Sequence, residues 1–145
     1  MLSLCSRIVV PYDDSELSRK ALEKAILLAK QDEKIELDVL HVVNPIIFYN
    51  ESPIYNLEQL QEIQREIGEA MIFELKERLA DLRNKTRTFL VEGNPGQMIL
   101  EFVKKNDADL IVMGCRGLGG LKGAFLGSVS HYVVQKAACP VMIVK

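Results

Sequence analysis

The chain has 145 residues, a mass of 16.3 kDa and a formal net charge of −2, from 18 basic against 20 acidic residues. That length suits one domain over 1–145, and 48% hydrophobic with 26% charged residues excludes a disordered or fibrous chain. A pI near 5.7 argues against nucleic-acid binding through bulk positive charge, and no apolar run approaches the roughly 18 residues that a membrane-spanning helix needs.

Arg7–Tyr12 (RIVVPY) reads as a buried strand, followed by Asp13 and Asp14 and a helix from about Ser15 to Lys30. Leu17, Ala21, Ala25 and Leu28 recur there at helical spacing, and acids at its start suit the helix dipole. Ile35–Val43 (IELDVLHVV) is a second strand, alternating at first and then continuously apolar. The connection Asn44–Asn56 carries two prolines and several apolar residues, Ile46, Ile47, Phe48 and Tyr55, and is expected to be a surface loop, either a lid or a partner-binding patch. A long helix is expected from Leu57 to about Arg83, with Leu60, Ile63, Ile67, Met71, Leu75 and Leu79 on one stripe and the Met71–Phe73 run in the core. Thr86–Val91 (TRTFLV) is a third strand. Asn94–Pro95–Gly96 turns the chain into a helix from about Gln97 to Lys105, with Ile99 and Val103 facing in. Asp109–Met113 (DLIVM) is a fourth strand, Gly114–Gly127 a glycine-rich stretch, Ser128 to about Ala137 a helix, and Val141–Val144 (VMIV) a fifth strand.

Strands with little polar alternation, separated by helices, indicate a parallel sheet covered on both faces. The alternating order gives a doubly wound α/β sandwich with five strands. Its crossovers are right-handed, and ligands belong at the carboxyl ends of the strands where the strand order reverses.

The chemistry concentrates in GCRGLGGLKGAFLGSVSH, Gly114 to His131, which holds six of the nine glycines. Such a stretch between an apolar strand and a helix is where a phosphate loop belongs. Glycine lets backbone amides approach an anion, and the first amides of the following helix, those of Ser128, Val129 and Ser130, lack intrahelical partners. The hydroxyls of Ser128 and Ser130 are two further candidate donors. A Walker loop would need Ser or Thr after Lys122, where Gly123 stands, and a dinucleotide G-x-G-x-x-G starting at Gly117 meets Lys at 122, so both patterns fail. What remains is Gly114-x2-Gly117-x9-Gly127-Ser128.

That spacing resembles the nucleotide-binding signature of the universal stress protein family, G-x2-G-x9-G-S/T. The opening RIVVPYDDSELS, the strand end LHVV, the turn at Asn94–Pro95–Gly96 and the closing AACPVMIVK resemble the family in the same order. The resemblance implies an adenine nucleotide alpha hydrolase-like three-layer sandwich with strand order 3-2-1-4-5, of the ATP-binding kind, with Mg or Mn carried by the nucleotide. It sets Asp13 on a ribose hydroxyl, the backbone of Pro11 and Val42 beside the adenine, and Met113 and Gly114 under the nucleoside. Arg116, Gly117, Gly127, Ser128, Val129 and Ser130 would surround the phosphates. It further implies a homodimer through Val141, Met142, Ile143 and Val144 and a role in stress response or signalling with an unknown downstream partner. Around the phosphate positions stand Arg116, Lys122, Ser128, Ser130 and His131 but no carboxylate pair, so at most slow ATP turnover is expected. Two departures stand out: Asp14 occupies a position where relatives often carry Gly, and His131 one where they often carry Glu.

Plainer readings compete with these. Asp13 and Asp14 suit a helix cap, Arg116 a solvated loop charge, His41 a rim histidine satisfied by its neighbours, and His131 an exposed helical residue. Cys115 is either a reactive thiol beside Arg116 or a small loop residue. Three cysteines (Cys5, Cys115 and Cys139) without C-x-x-C spacing, and two distant histidines, suit neither a disulfide framework nor an intrinsic metal site, and the cysteine usage points to the cytoplasm. The alternatives to a binding module are a slow ATPase or autokinase, and a nucleotide-free interaction protein acting through the 44–56 loop.

Overall fold

The computed structural model describes residues 5–44, 57–117 and 126–145. Five strands, β1 (Arg7–Pro11), β2 (Glu36–Val43), β3 (Thr86–Glu92), β4 (Leu110–Gly114) and β5 (Val141–Val144), pair in parallel in the order β3-β2-β1-β4-β5. The helices among the described residues are α1 (Glu16–Ala29), α2 (Leu57–Leu79), α3 (Pro95–Lys105) and α4 (Ser128–Lys136). This is the doubly wound α/β sandwich with the expected order 3-2-1-4-5. The order reverses between β1 and β4, so the carboxyl ends of those two strands flank the switch point.

Strand alternation divides the core into two layers. Ile8, Val10, Leu37, Val39, Leu110 and Val112 point to one face and meet Ala21, Leu22, Ala25, Leu75 and Leu79 of α1 and α2. Val9, Leu40, Ile111 and Met113 point to the other and meet Ile99, Val103 and Val133 of α3 and α4. A fully buried Leu22 or Ile99 side chain contributes about 1.5–3 kcal/mol by leaving water.

Local chemistry sets the helix starts. Ser15 caps α1, its Oγ accepting the Ser18 amide at 3.2 Å, so neither Asp13 nor Asp14 is the N-cap. The α3 helix begins at Pro95, two residues earlier than the expected start, because Asn94 Oδ1 accepts the Gln97 amide at 3.2 Å and proline suits a first helical position.

The long helix differs most from expectation. It ends at Leu79, not Arg83, and the chain after it is held by Asn84, whose Nδ2 lies 2.8–2.9 Å from the carbonyls of Ala29, Asp32 and Ile35. Gly68, Leu75 and Leu79 form its buried side. Met71 and Ile72 pack against that core, but Phe73 is 65% exposed. Standing two residues before Leu75, Phe73 is rotated about 200° around the helix and faces out. Ile63 and Ile67 are exposed as well. Gly68 lies opposite Leu90, near the carboxyl end of β3, so the helical turns before it extend past the sheet that would bury them.

In β2, Asp38 is a fully buried acid. Its register partner is Arg87 of β3, which donates to both carboxylate oxygens at 2.9 and 2.7 Å. Asn106 and Arg7 complete the surroundings. At the amino end of the sheet, Asp109 accepts the amides of Ser6 and Arg7 and the Ser6 hydroxyl at 2.8–3.0 Å, fastening the start of β1 to that of β4.

Candidate functional site

The loop after β4 is tied at its base by the backbone of one residue. The Cys115 amide donates to Val144 O at 2.9 Å, and its carbonyl accepts both the Gly127 amide at 2.7 Å and the Ser130 hydroxyl at 2.6 Å. The glycine-rich stretch therefore leaves and returns at one point, with α4 starting there. Gly119, Gly120, Lys122 and Gly123 lie outside the described residues, as does the 45–56 connection with Ile46, Ile47, Phe48 and Tyr55.

The first turn of α4 is capped by Gly127, which has no side chain to accept an amide, whereas Ser15 and Asn94 do this for α1 and α3. The amides of Ser128, Val129 and Ser130 fall in the turn where intrahelical partners are missing, and the dipole adds attraction for an anion. Ser128 is exposed. Ser130 is 2% exposed, and its hydroxyl is committed to Cys115 O and Gly127 O, so it does not serve as the free anion donor read from the sequence. Only its amide remains for that role.

Across from this turn, Asp13 follows β1. Its Oδ1 accepts the Ser15 amide at 3.0 Å, and its own amide faces Ser18 Oγ at 3.4 Å. Oδ2 lies against Gly117, where an added Cβ would overlap it. A Cβ on Gly127 would lie 3.2 Å from Arg116 Cα. Asp13, Gly117, Arg116, Gly127 and the α4 amides thus form one contiguous cluster at the switch point. Gly114, the last residue of β4, packs under Leu17 of α1, and Arg116 is exposed.

The remaining expected residues line the approach less directly. Pro11 ends β1 and is half-buried; Val42 and Val129 pack against the α3–α4 layer; Met113 is 5% exposed, a core side chain. His41 is a rim histidine whose Nδ1 donates to the Tyr12 carbonyl at 2.7 Å, and His131 is exposed on α4. Sequence reasoning missed the Cys115 carbonyl, because a backbone group carries no sequence signal, and a trio beside Asp13. Asp14 has φ +63°, and its Oδ1 accepts from the Tyr12 hydroxyl and from Arg19 Nε, both at 3.0 Å. The Arg19 hydrogen bond holds the Asp14 carboxyl below its ordinary range, while burial, followed by the bond to Asp14, raises the Tyr12 hydroxyl.

A groove of about 490 Å³ lined by Lys76, Leu79 and Thr86–Phe89 runs along the β3 edge, two strands from β1 and so away from this cluster. Among the described residues, no group of three or more His, Cys, Asp or Glu side chains could hold a metal ion, and no helix is long and apolar enough to cross a membrane.

The sequence model of the universal stress protein family matches residues 5–145. The chain belongs to the universal stress protein family. Universal stress protein YxiE of Bacillus subtilis is 34% identical, over 97% of this chain and 99% of its own length. Universal stress protein MJ0531 of Methanocaldococcus jannaschii is 36% identical, over 99% of this chain and 84% of its own. The solved structure of MJ0577, from the same organism, aligns with a TM-score of 0.84 at 26% identity, covering 97% of this chain and 95% of that one. Two further solved universal stress proteins share the fold: one in complex with cAMP (TM-score 0.73, 24% identical) and one from Arabidopsis thaliana with AMP bound (TM-score 0.68, 20% identical).

Proposed function

We propose that this universal stress protein is an adenine nucleotide-binding module that takes ATP at the switch point between β1 and β4. The observation that carries the reading is the cluster in which the uncapped first turn of α4 and Gly117 come together with the Asp13 carboxylate. Carboxylate and amides suit the two ends of a nucleotide: Asp13 Oδ2 accepts from a ribose hydroxyl, and the Gly117, Ser128, Val129 and Ser130 amides donate to phosphate oxygens. Arg116 adds charge-assisted bonds from the rim, and the backbone of Pro11 and Val42 borders the base. The cAMP- and AMP-bound relatives support an adenine nucleotide in this fold.

Mg or Mn belongs to the nucleotide in this reading. The groups proposed at the phosphates, Arg116, Gly117, Gly127, Ser128, Val129 and Ser130, bring no carboxylate to hold a metal or orient a water. Turnover is accordingly slow, and the chain acts by occupancy, as a signalling module in stress response. The open edge of β5 supports a homodimer through Val141–Val144. Met142 there and Val134 on α4 are 38% and 43% exposed, an apolar rim that a second copy would cover. Met142→Glu is then expected to shift the sedimentation from dimer to monomer.

Protein purified without added nucleotide, heated and filtered, tests the binding reading by the mass of what it releases. Near-stoichiometric adenine nucleotide, with a rise in melting temperature on adding Mg-ATP to stripped protein, is the expected result. Release of none, together with no thermal shift, would refute it.

A further inference from the structure

Asp13 and Asp14 are neighbours in sequence, but their carboxylates serve opposite sides of the turn. Asp13 faces Gly117; Asp14 faces the cleft between α1 and α2 that Tyr12, Arg19, Met71 and Arg78 line. The divergence comes from the Asp14 backbone. Its φ of +63° is the left-handed conformation, which aspartate tolerates better than most side chains but still disfavours. Two donors hold it there: the Tyr12 hydroxyl and Arg19 Nε, each 3.0 Å from Oδ1. Tyr12 is itself buried, being 6% exposed, with its amide donating to Leu40 O at 2.8 Å and its carbonyl accepting from His41 Nδ1 at 2.7 Å. Asp13 therefore sits between one residue pinned to β2 and another locked in a left-handed turn, and Ser15, just past that turn, donates to its Oδ1.

Resting on the nucleotide reading above, we infer that Asp14, clamped by Tyr12 and Arg19, is a positioning residue that aims the Asp13 carboxylate at the nucleoside. In this reading the clamp acts through Asp13 and not on the nucleotide itself. Together with the Ser15 amide on Oδ1, it fixes the direction of the Asp13 carboxylate, and so lowers the ordering cost of binding. Glycine at this position takes the same backbone angle without strain and lacks only the clamp; alanine lacks the clamp and resists the angle.

The test is a set of Mg-ATP affinities measured by calorimetry on the full chain. Tyr12→Phe removes one donor without changing charge, and it is expected to bind about 3- to 10-fold more weakly with a nearly unchanged melting temperature. In an Asp13→Ala background the same substitution is expected to cost less than about 2-fold, because its effect passes through Asp13. Asp14→Gly and Asp14→Ala lose the same charge, so their difference isolates the backbone, and the glycine variant is expected to bind several-fold tighter than the alanine variant. Wild-type affinity in Tyr12→Phe, a full repeat of its loss without Asp13, or equal binding by the two Asp14 variants would each overturn the inference. Each of those leaves the nucleotide reading standing, whereas a wild-type chain that binds no adenine nucleotide overturns both.

Discussion

Gly114 closes β4 directly beneath α1, and a methyl group there has no room. A Cβ built on its backbone lies 2.8 Å from Leu17 Cβ, 3.0 Å from the Leu17 carbonyl carbon and 3.2 Å from its oxygen, against the 3.4–4 Å of ordinary contact. Two of these three atoms are main chain of α1, so no rotamer change relieves the overlap and the helix must move off the sheet by roughly half an ångström. Overpacking of this kind costs about 1–3 kcal/mol. At about 2.1 cal/mol/K per residue, unfolding a chain of this length carries an entropy of about 300 cal/mol/K, so each kcal/mol moves the melting temperature by about 3 °C. Gly114→Ala should therefore melt about 3–10 °C below wild type by calorimetry or circular dichroism. Gly117→Ala is the control from the same motif: its Cβ meets only the tip of the Asp13 carboxylate, so it should melt close to wild type while binding Mg-ATP more weakly. A Gly114→Ala protein melting within about 1 °C of wild type would refute the reasoning, as would a Gly117→Ala protein destabilised to the same degree.

The other predictions concern charges that the fold orders. Arg87→Ala leaves the fully buried Asp38 carboxylate without its bidentate partner and should cost about 3–5 kcal/mol in urea unfolding, whereas replacing both residues with apolar ones should recover much of that. Asp13→Ala should weaken Mg-ATP binding by about 1–3 kcal/mol, measured by titration, with the melting temperature of the free protein little changed. Burial works against the charge on Asp109, but the hydrogen bonds from the Arg7 amide and from the Ser6 hydroxyl and amide outweigh it and hold this carboxyl below its ordinary range. Its contribution is thus complete above the unfolded carboxylate value near 3.8 and is lost as pH falls through the depressed folded one. Asp109→Asn should lose about 1–2 kcal/mol at neutral pH and show a flatter loss of stability below roughly pH 4.

The sheet was legible because its signal is redundant. RIVV, DLIVM and VMIV are each too apolar and too short to be anything but buried strands, and the helices between them impose parallel pairing. Periodicity failed where burial depends on what lies opposite. The α2 stripe from Leu60 to Leu79 is regular in sequence, but Ile63 and Ile67, in the turns before Gly68, are exposed, and Phe73 takes the wrong side of the helix despite its apolar neighbours. The burial of Asp38 lay beyond the sequence for a related reason: it depends on the cross-strand partner Arg87, and register is a tertiary property. At the candidate site, glycine spacing identified the loop, because a backbone that must pass close to a carboxylate or a helix leaves its mark as missing side chains. The Cys115 carbonyl and the left-handed Asp14 left no such mark, since one is main chain and the other a residue type that also suits caps and turns.

Amide chemical shifts of isotope-labelled protein, recorded while Mg-ATP is added, test the site most directly. The account predicts saturable shifts centred on Gly117, Gly127, Ser128, Val129 and Ser130, accompanied by Asp13 and Ser15, with Thr86–Phe89 at the β3 edge unmoved. Shifts that leave the α4 amides in place, or that gather along the β3 groove, would contradict it.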